Sequence, residues 1–408
     1  MSTGRNPIVF VFITRLLDAI GFGIVMPVLP KLLMSMGAPN IAAATRIAGA
    51  LLVTYAVLQF FCGPIIGNLS DRHGRRPVIL ASLFAFSVDY ALMGFAPTIA
   101  WLFLGRAIAG IAGAVFVPAN AYVADVTPPE RRAHAFGVVS SAFGLGFIIG
   151  PALGGLLGEI GPRAPFFAAA ALAGLNFLFG LVVLPESLPP ERRRPFNWRR
   201  ANPIGAPMAL SHYPSVLGYA CVVVAFLLGN IVYPSTWAFY TTAKFGWSPG
   251  MIGLSLVVTG VAMALVQAML TGRVAKRIGE ARTAILGLSM AAATAISYAF
   301  IPQPWMVFVL TALGALQALT YPSLNALMTR HTPRDAQGEL QGGVASLSSL
   351  ANIAGPLLMT QTFAYFTAPG APVYFPGAAF ILATLLNLIG IVVLASTEAR
   401  RAPRTAPT

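Results

Sequence analysis

Apolar runs of about twenty residues recur along this chain, and no other feature restricts its fold as much. A helix of about 20 residues is what crosses the hydrocarbon of a bilayer. Twelve such runs stand at 8–34, 45–66, 77–96, 98–124, 134–158, 164–184, 213–236, 250–271, 282–301, 304–328, 338–362 and 374–396. With 57% of residues hydrophobic and 9% charged, there is more apolar side chain than a water-soluble body of 408 residues can bury. A β-barrel would show segments of ~10 residues with alternating polarity instead. The sequence therefore predicts an all-α membrane protein of twelve transmembrane helices.

Charge sets the orientation. The net charge is +14, which in a soluble chain would raise a nucleic-acid partner. Here the positive-inside rule accounts for it. With the N-terminus inside, the loops and tails on the cytoplasmic side hold 20 Lys and Arg, among them Arg5, Arg72, Arg131, Arg199, Arg200 and Arg404. The other side holds 4: Lys31, Arg46, Arg163 and Lys244. That imbalance predicts cytoplasmic termini and an even number of spans. The first run contains Asp18 and passes Pro27 with no small-residue cleavage site, so it reads as a retained helix rather than a cleaved signal.

Neither metal nor nucleotide chemistry is signalled. Cys62 and Cys221 lie in separate apolar runs. His73, His134, His212 and His331 sit in or beside cytoplasmic loops, none at metal-ligand spacing. There is no Gly-x-x-x-x-Gly-Lys-Ser/Thr loop for ATP. The energy source expected is an ion gradient, with no cofactor bound to the protein.

The Pro- and Arg-rich segment 185–212 is the one long polar connection. It divides a six-helix half at 1–184 from another at 213–396, leaving a cytoplasmic tail at 397–408 too short for a domain. Arg192 to Arg200 are expected to meet anionic lipid headgroups. The halves repeat at an offset of 205 residues: Gly67, Arg72 and Gly74 recur as Gly272, Arg277 and Gly279, and Gly150-Pro151 recurs as Gly355-Pro356. Asp71 is matched by Lys276, so the second copy has lost its acid. Duplicated halves are a transporter design with the substrate site near the midplane.

Ionisable groups inside a span are costly and mark function. Asp18, Asp89 and Arg106 stand about 15, 18 and 12 Å into their helices at ~1.5 Å per residue, near the middle of a ~30 Å core. Burial disfavours a charged carboxylate and a nearby arginine favours it. A carboxylate balanced between the two can exchange protons near neutral pH, which proton coupling requires. The alternative for either acid is a permanently paired structural ion, and which of the two couples stays open. Cavity-lining candidates are Tyr55, Gln59, Asn120 and Gln317, among other intramembrane amides such as Asn176. Trp237 and Tyr240 are expected in an interfacial aromatic belt.

Several motifs carry a resemblance. Gly67-Asn-Leu-Ser-Asp71-Arg72-His-Gly74-Arg75-Arg76-Pro77 resembles the loop between helices 2 and 3 of the major facilitator superfamily at every defined position. Gly146-Phe-Ile-Ile-Gly150-Pro151-Ala-Leu-Gly154-Gly155 is similar to the antiporter motif of that superfamily's drug/proton branch. Pro151 is expected to bend the fifth helix, and the glycines to let it rock against the other half. Leu17-Asp18-Ala-Ile-Gly21-Phe-Gly23, Ser87-Val-Asp89-Tyr90 and Gly105-Arg106 extend the likeness to the tetracycline/proton antiporters over most of residues 13–186.

That resemblance implies export of tetracycline, carried as a divalent-metal chelate, in exchange for a proton. It implies that Asp18 and Asp89 are the membrane-embedded acids, Arg106 the arginine of helix 4, and Asp71, Arg75 and Asp125 a cytoplasmic charge cluster. It also implies a multi-pass protein of a bacterial inner membrane. One departure bears on this: well-known members carry a His in helix 8 and an Asp in helix 9, whereas 250–271 has no His and 282–301 no acid. Export of another drug or a metabolite by the same machine is the alternative. A membrane enzyme would need a nucleophile–base pair in the spans, and the sequence shows none. An importer is disfavoured by the helix 5 motif.

Overall fold

The structure, a computed structural model, describes residues 7–198 and 214–401. Arg5, Arg199, Arg200, His212 and Arg404, with the rest of 199–213 and 402–408, lie outside the described residues. Among the described residues, twelve helices are long and apolar enough to cross a membrane. They are α1 (Ile8–Val25), α2 (Ile41–His73), α3 (Arg75–Phe95), α4 (Ile99–Val126), α5 (Pro129–Ile160), α6 (Ala164–Val183), α7 (Val216–Phe245), α8 (Pro249–Met269), α9 (Glu280–Phe300), α10 (Met306–Arg330), α11 (Gln337–Thr367) and α12 (Ala378–Ala399). Among the described residues there is no β-strand.

Two expected boundaries move. The first apolar run is not one helix: α1 ends at Val25, and a short helix, Leu29–Ser35, follows. Pro27 causes this, having no N–H to give and crowding the carbonyl four residues back. The polar stretch at 67–76, expected as a loop, is almost wholly helical. α2 runs on to His73 and α3 opens at Arg75, so the turn is Gly74 alone, at φ +104°. Glycine reaches that φ without a Cβ clash. Arg72 and His73 suit the negative end of α2.

Breaks recur at every third helix. α1 is interrupted at 26–28, α4 at Ala114 and Val115, α7 at Ile231, and α10 by a tighter 3₁₀ stretch, Ala315–Leu319. The 205-residue repeat carries Met26 onto Ile231 and Ala114 onto Leu319, so the halves share their breaks as well as their motifs. α2 at Pro64, α5 at Pro151 and α11 at Pro356 continue as helix through the proline.

The chain forms two compact units: Met1–Pro203 with Thr241–Gly260, and Ile204–Tyr240 with Val261–Thr408. In the first, α1 and α5 lie backbone to backbone. A Cβ at Gly146 would come 2.6 Å from Leu16 O, and one at Gly150 2.7 Å from Ile20 O. Gly154 meets the Ile24 carbonyl in the same way. Gly155 faces the opposite side, against Gly253 and Pro249 of α8. The expected contact with the other six-helix half is made by Gly155, and by Pro151, whose carbonyl faces Gly253; the other three motif glycines seat α1 of their own half.

In the second unit, buried Tyr219 and Val223 of α7, Leu288 of α9, Met328 of α10 and Leu394 of α12 form one core. A second cluster joins Tyr233, Trp237 and Tyr240 of α7 to Tyr298 and Phe380, with ring centroids 4.7–6.2 Å apart. Trp237 and Tyr240 are buried at 4% and 0% exposure. They are core residues and not the interfacial belt expected of them, because the rings of α9 and α12 take their faces.

Candidate functional site

The charged residues of α1, α3 and α4 define a candidate site in the first unit. Asp89 is fully buried, and Arg106 Nη2 donates to its Oδ2 at 2.8 Å. The same nitrogen lies 3.0 Å from Met93 Sδ. Asp89 Oδ1 takes no hydrogen bond. It rests against α4 where Gly105 leaves room: a Cβ there would stand 2.6 Å from that oxygen. The sequence pair Gly105-Arg106 is thus one device, a gap for the acid and then its counter-ion. A buried ion pair is not strongly stabilising in itself, but removing one partner strands the other.

Arg106 also faces Tyr55 of α2, its guanidinium carbon 5.9 Å from the ring centre. Gln59, one turn on, donates to Tyr55 Oη at 3.0 Å and to Gly113 O at 3.2 Å. So Tyr55, Gln59, Asp89 and Arg106 come together across α2, α3 and α4. Both Tyr55 and Gln59 remain partly exposed. Asn120 is exposed, further along α4. Gln317 does not join this group. It is buried in the 3₁₀ break of α10, in the other unit, and accepts from Asn230 Nδ2 at 3.0 Å.

Asp18 differs from Asp89. Among the described residues it makes no ion pair, and its Oδ2 is buried without a hydrogen-bond partner. Arg15, one turn earlier on the same helix, is the nearest candidate partner in sequence, yet it lies over the ring of Phe116 at 3.6 Å. Its Nε and Nη1 are buried without hydrogen bonds. Phe116 opens the segment of α4 beyond the break. Sequence reading passed over Arg15. The signal was present in its spacing of three residues from Asp18, which puts both on one face.

The charge cluster expected on the cytoplasmic side forms around the α2–α3 turn. Arg75 Nη1 lies 2.5 Å from Asp71 Oδ1, and Arg75 Nε 3.3 Å from Asp125 Oδ2 at the end of α4. Arg75 also donates to Ser70 Oγ at 2.8 Å. Arg76 donates to Leu181 O at the end of α6, at 2.8 Å. Arg72 is exposed and stays apart from this cluster. Gly67 lets Val117 of α4 approach; a Cβ there would meet it at 2.8 Å.

One member was not foreseen. Glu186, just past α6, accepts from the Arg75 N–H at 2.8 Å and the Arg76 N–H at 3.3 Å, capping α3. The linker then stays on this surface: Arg194 N donates to Asp71 O at 3.0 Å, and Asn68 Nδ2 to Asn197 O at 2.7 Å. Glu159 at the end of α5 was also missed. It accepts from Gly250 N at 2.7 Å, in the first turn of α8.

A cavity of about 620 Å³ lies in the first unit between α1, α4 and α5, lined by Ile8, Phe12, Val126, Arg131, His134 and Val138. It combines apolar walls with two basic residues, Arg131 and His134, at the start of α5.

Comparison with known proteins gives a consistent result. The family model of the Major Facilitator Superfamily matches residues 11–243 and 218–408. The class C tetracycline resistance protein of Escherichia coli is 40% identical over 401 residues, 98% of this chain and 99% of that protein. The class G protein of Vibrio anguillarum is 37% identical over 93% of this chain and 94% of its own length. Among solved structures, the human organic anion transporter MFSD10 (TETRAN) is 25% identical with a TM-score of 0.67, covering 95% of this chain and 98% of its own. A bacterial homolog of the human lysosomal transporter Spinster, inward-facing and occupied, aligns with a TM-score of 0.77 at 16% identity, over 97% and 98% of the two chains.

Proposed function

The chain belongs to the major facilitator superfamily, and from that premise we propose that it exports tetracycline in exchange for protons by alternating access. It is a multi-pass membrane transporter and not an enzyme. The finer reading is a tetracycline carried with a divalent metal, moved across a bacterial inner membrane with both termini in the cytoplasm.

The observation that carries this reading is the contrast between the two intramembrane acids. Asp89 is held by a hydrogen bond from Arg106, while Asp18 makes no ion pair or hydrogen bond to its charged neighbour Arg15, which lies over Phe116 instead. A proton that reaches Asp18 displaces no hydrogen-bonded arginine, so Asp18 is the coupling acid in this reading. Asp89 and Arg106 form the fixed polar wall beside it. The breaks in α1, α4, α7 and α10 support the placement, because discontinuous helices build transporter binding sites near the midplane. The likeness to the class C and class G proteins supports tetracycline as substrate.

A second reading keeps the machine and changes the cargo. α8 carries no His, and α9 no acid beyond Glu280 in its first turn. This favours another amphipathic drug or a metabolite over a substrate that needs polar ligands from the second half.

Uptake of tetracycline with Mg²⁺ into inverted membrane vesicles, driven by an imposed proton gradient, tests both. Gradient-driven uptake by the wild type, lost in Asp18→Asn, is the expected result. Uptake that survives in both Asp18→Asn and Asp89→Asn would move coupling elsewhere. A folded wild type that ignores tetracycline but moves other drugs would select the second reading.

A further inference from the structure

A small, partly enclosed chamber lies between α1, α3 and α6, lined by Asp18, Tyr90 and Asn176 among apolar Leu17, Phe86 and Leu172. Asn176 is 2% exposed, and both its Oδ1 and its Nδ2 are buried without a hydrogen-bond partner. Asp18 Oδ2 is in the same condition. Leaving a buried polar atom unmatched costs about 1–3 kcal/mol. Three such atoms around one chamber mark a site built for a polar occupant. Its volume, about 10 Å³, is that of one water-sized probe, and a water needs two to four polar partners.

We propose that this chamber binds a single water molecule shared by Asp18 and Asn176, and that Asn176 is thereby a positioning residue for the proton carried on Asp18. The second half of the proposal rests on Asp18 being the coupling acid. Asn176 suits both states of its neighbour. When Asp18 is protonated, its O–H donates to the water, which donates in turn to Asn176 Oδ1. When Asp18 is charged, the water donates to the carboxylate and accepts from Asn176 Nδ2. An amide offers a donor and an acceptor without a charge of its own, so it serves both arrangements.

The groups that face Asp18 are few. On α1 there is Arg15, turned to Phe116; α3 brings Tyr90, with the Asp89–Arg106 pair behind it; α2 brings Tyr55. From α6 comes only the amide of Asn176, and the α5 surface against α1 is glycine and alkyl.

The test is infrared pH-difference spectroscopy on the purified full-length protein, which needs no transported drug. The Asp18 carboxyl band is identified by its loss in Asp18→Asn. The water is identified by an O–H band that shifts on exchange into H₂¹⁸O. In Asn176→Leu that water band is expected to vanish. The pH midpoint of the Asp18 band is expected to rise by about one unit, because the water's charge-assisted bond to the carboxylate, stronger than its bond to the protonated acid, is gone. Asn176→Ser, which keeps a donor and an acceptor, is expected to restore both signals. An unchanged midpoint and water band in folded Asn176→Leu would overturn the proposal, as would a wild type without the ¹⁸O-sensitive band. If the water band behaves as expected but the Asp18 band does not titrate, the water site stands and the coupling role of Asp18 falls.

Discussion

At the scale of residues, the pairing of Asp89 with Arg106 dictates what single substitutions do. Arg106→Leu leaves a fully buried carboxylate without its counter-ion. Breaking such a pair costs about 3–5 kcal/mol. The expected result is a clear fall in the thermal unfolding midpoint of the purified protein. Adding Asp89→Asn to Arg106→Leu removes the stranded charge and is expected to recover much of that fall, with no recovery of transport. A double variant as unstable as the single one would show that the pair is not the source. The three charges were legible in the sequence because an ionisable residue amid apolar ones is rare and costly. The direction in which Arg15 turns was not legible, since its partner Phe116 comes from a helix a hundred residues away. The same holds for Asn176: an amide in a span signals a polar neighbour, and only the approach of α1 and α3 shows that Asp18 lines the same chamber.

Elements are fixed here by close approach and by caps. Gly150 and Gly144 both belong to the glycine-rich stretch of α5, yet only Gly150 touches another backbone, while nothing lies within 4 Å of a Cβ at Gly144. Gly150→Ala is therefore expected to destabilise the first unit by about 1–3 kcal/mol through overpacking, and Gly144→Ala to be near neutral. Equal effects in thermal unfolding would refute the backbone seat. At the α2–α3 turn, Glu186→Ala removes the acceptor for two N–H groups of α3, an end-capping loss of about 0.5–2 kcal/mol. Faster hydrogen exchange confined to the first turn of α3 is the expected sign, and unchanged exchange there would count against the cap. Glycine spacing revealed in the sequence that some backbone comes near α5. It could not say which, and α1 proved to be the answer. The polar stretch at 67–76 read as a loop because its residues are charged. Its charges instead lie on helix ends, where Gly74, Glu186 and the linker satisfy the turn.

At the scale of the whole molecule, the acids are unevenly placed. Both intramembrane carboxylates, Asp18 and Asp89, belong to the first six helices, and the repeat has lost even the acid of its hinge, Lys276 standing where Asp71 would recur. A cycle that loads protons on these two groups moves at most two, and one if Asp89 stays with Arg106. One proton per cycle is the expected stoichiometry. Its driving force is calculable: about 1.4 kcal/mol for a unit of pH and ~2.3 kcal/mol for 100 mV if one net charge crosses. Together these sustain a drug gradient of about 500-fold. If the exported species carries one positive charge, the exchange is electroneutral, only the pH term acts, and the limit drops to about tenfold per pH unit. Measuring the reversal point of tetracycline flux in proteoliposomes, with potential and pH clamped separately, distinguishes these cases. A reversal point that follows pH alone in the presence of Mg²⁺ means one proton exchanged for one singly charged cation. One that follows both with unit weight means a neutral cargo. A slope above two protons per drug would require a titrating group besides Asp18 and Asp89, and would show that these two acids do not carry coupling alone.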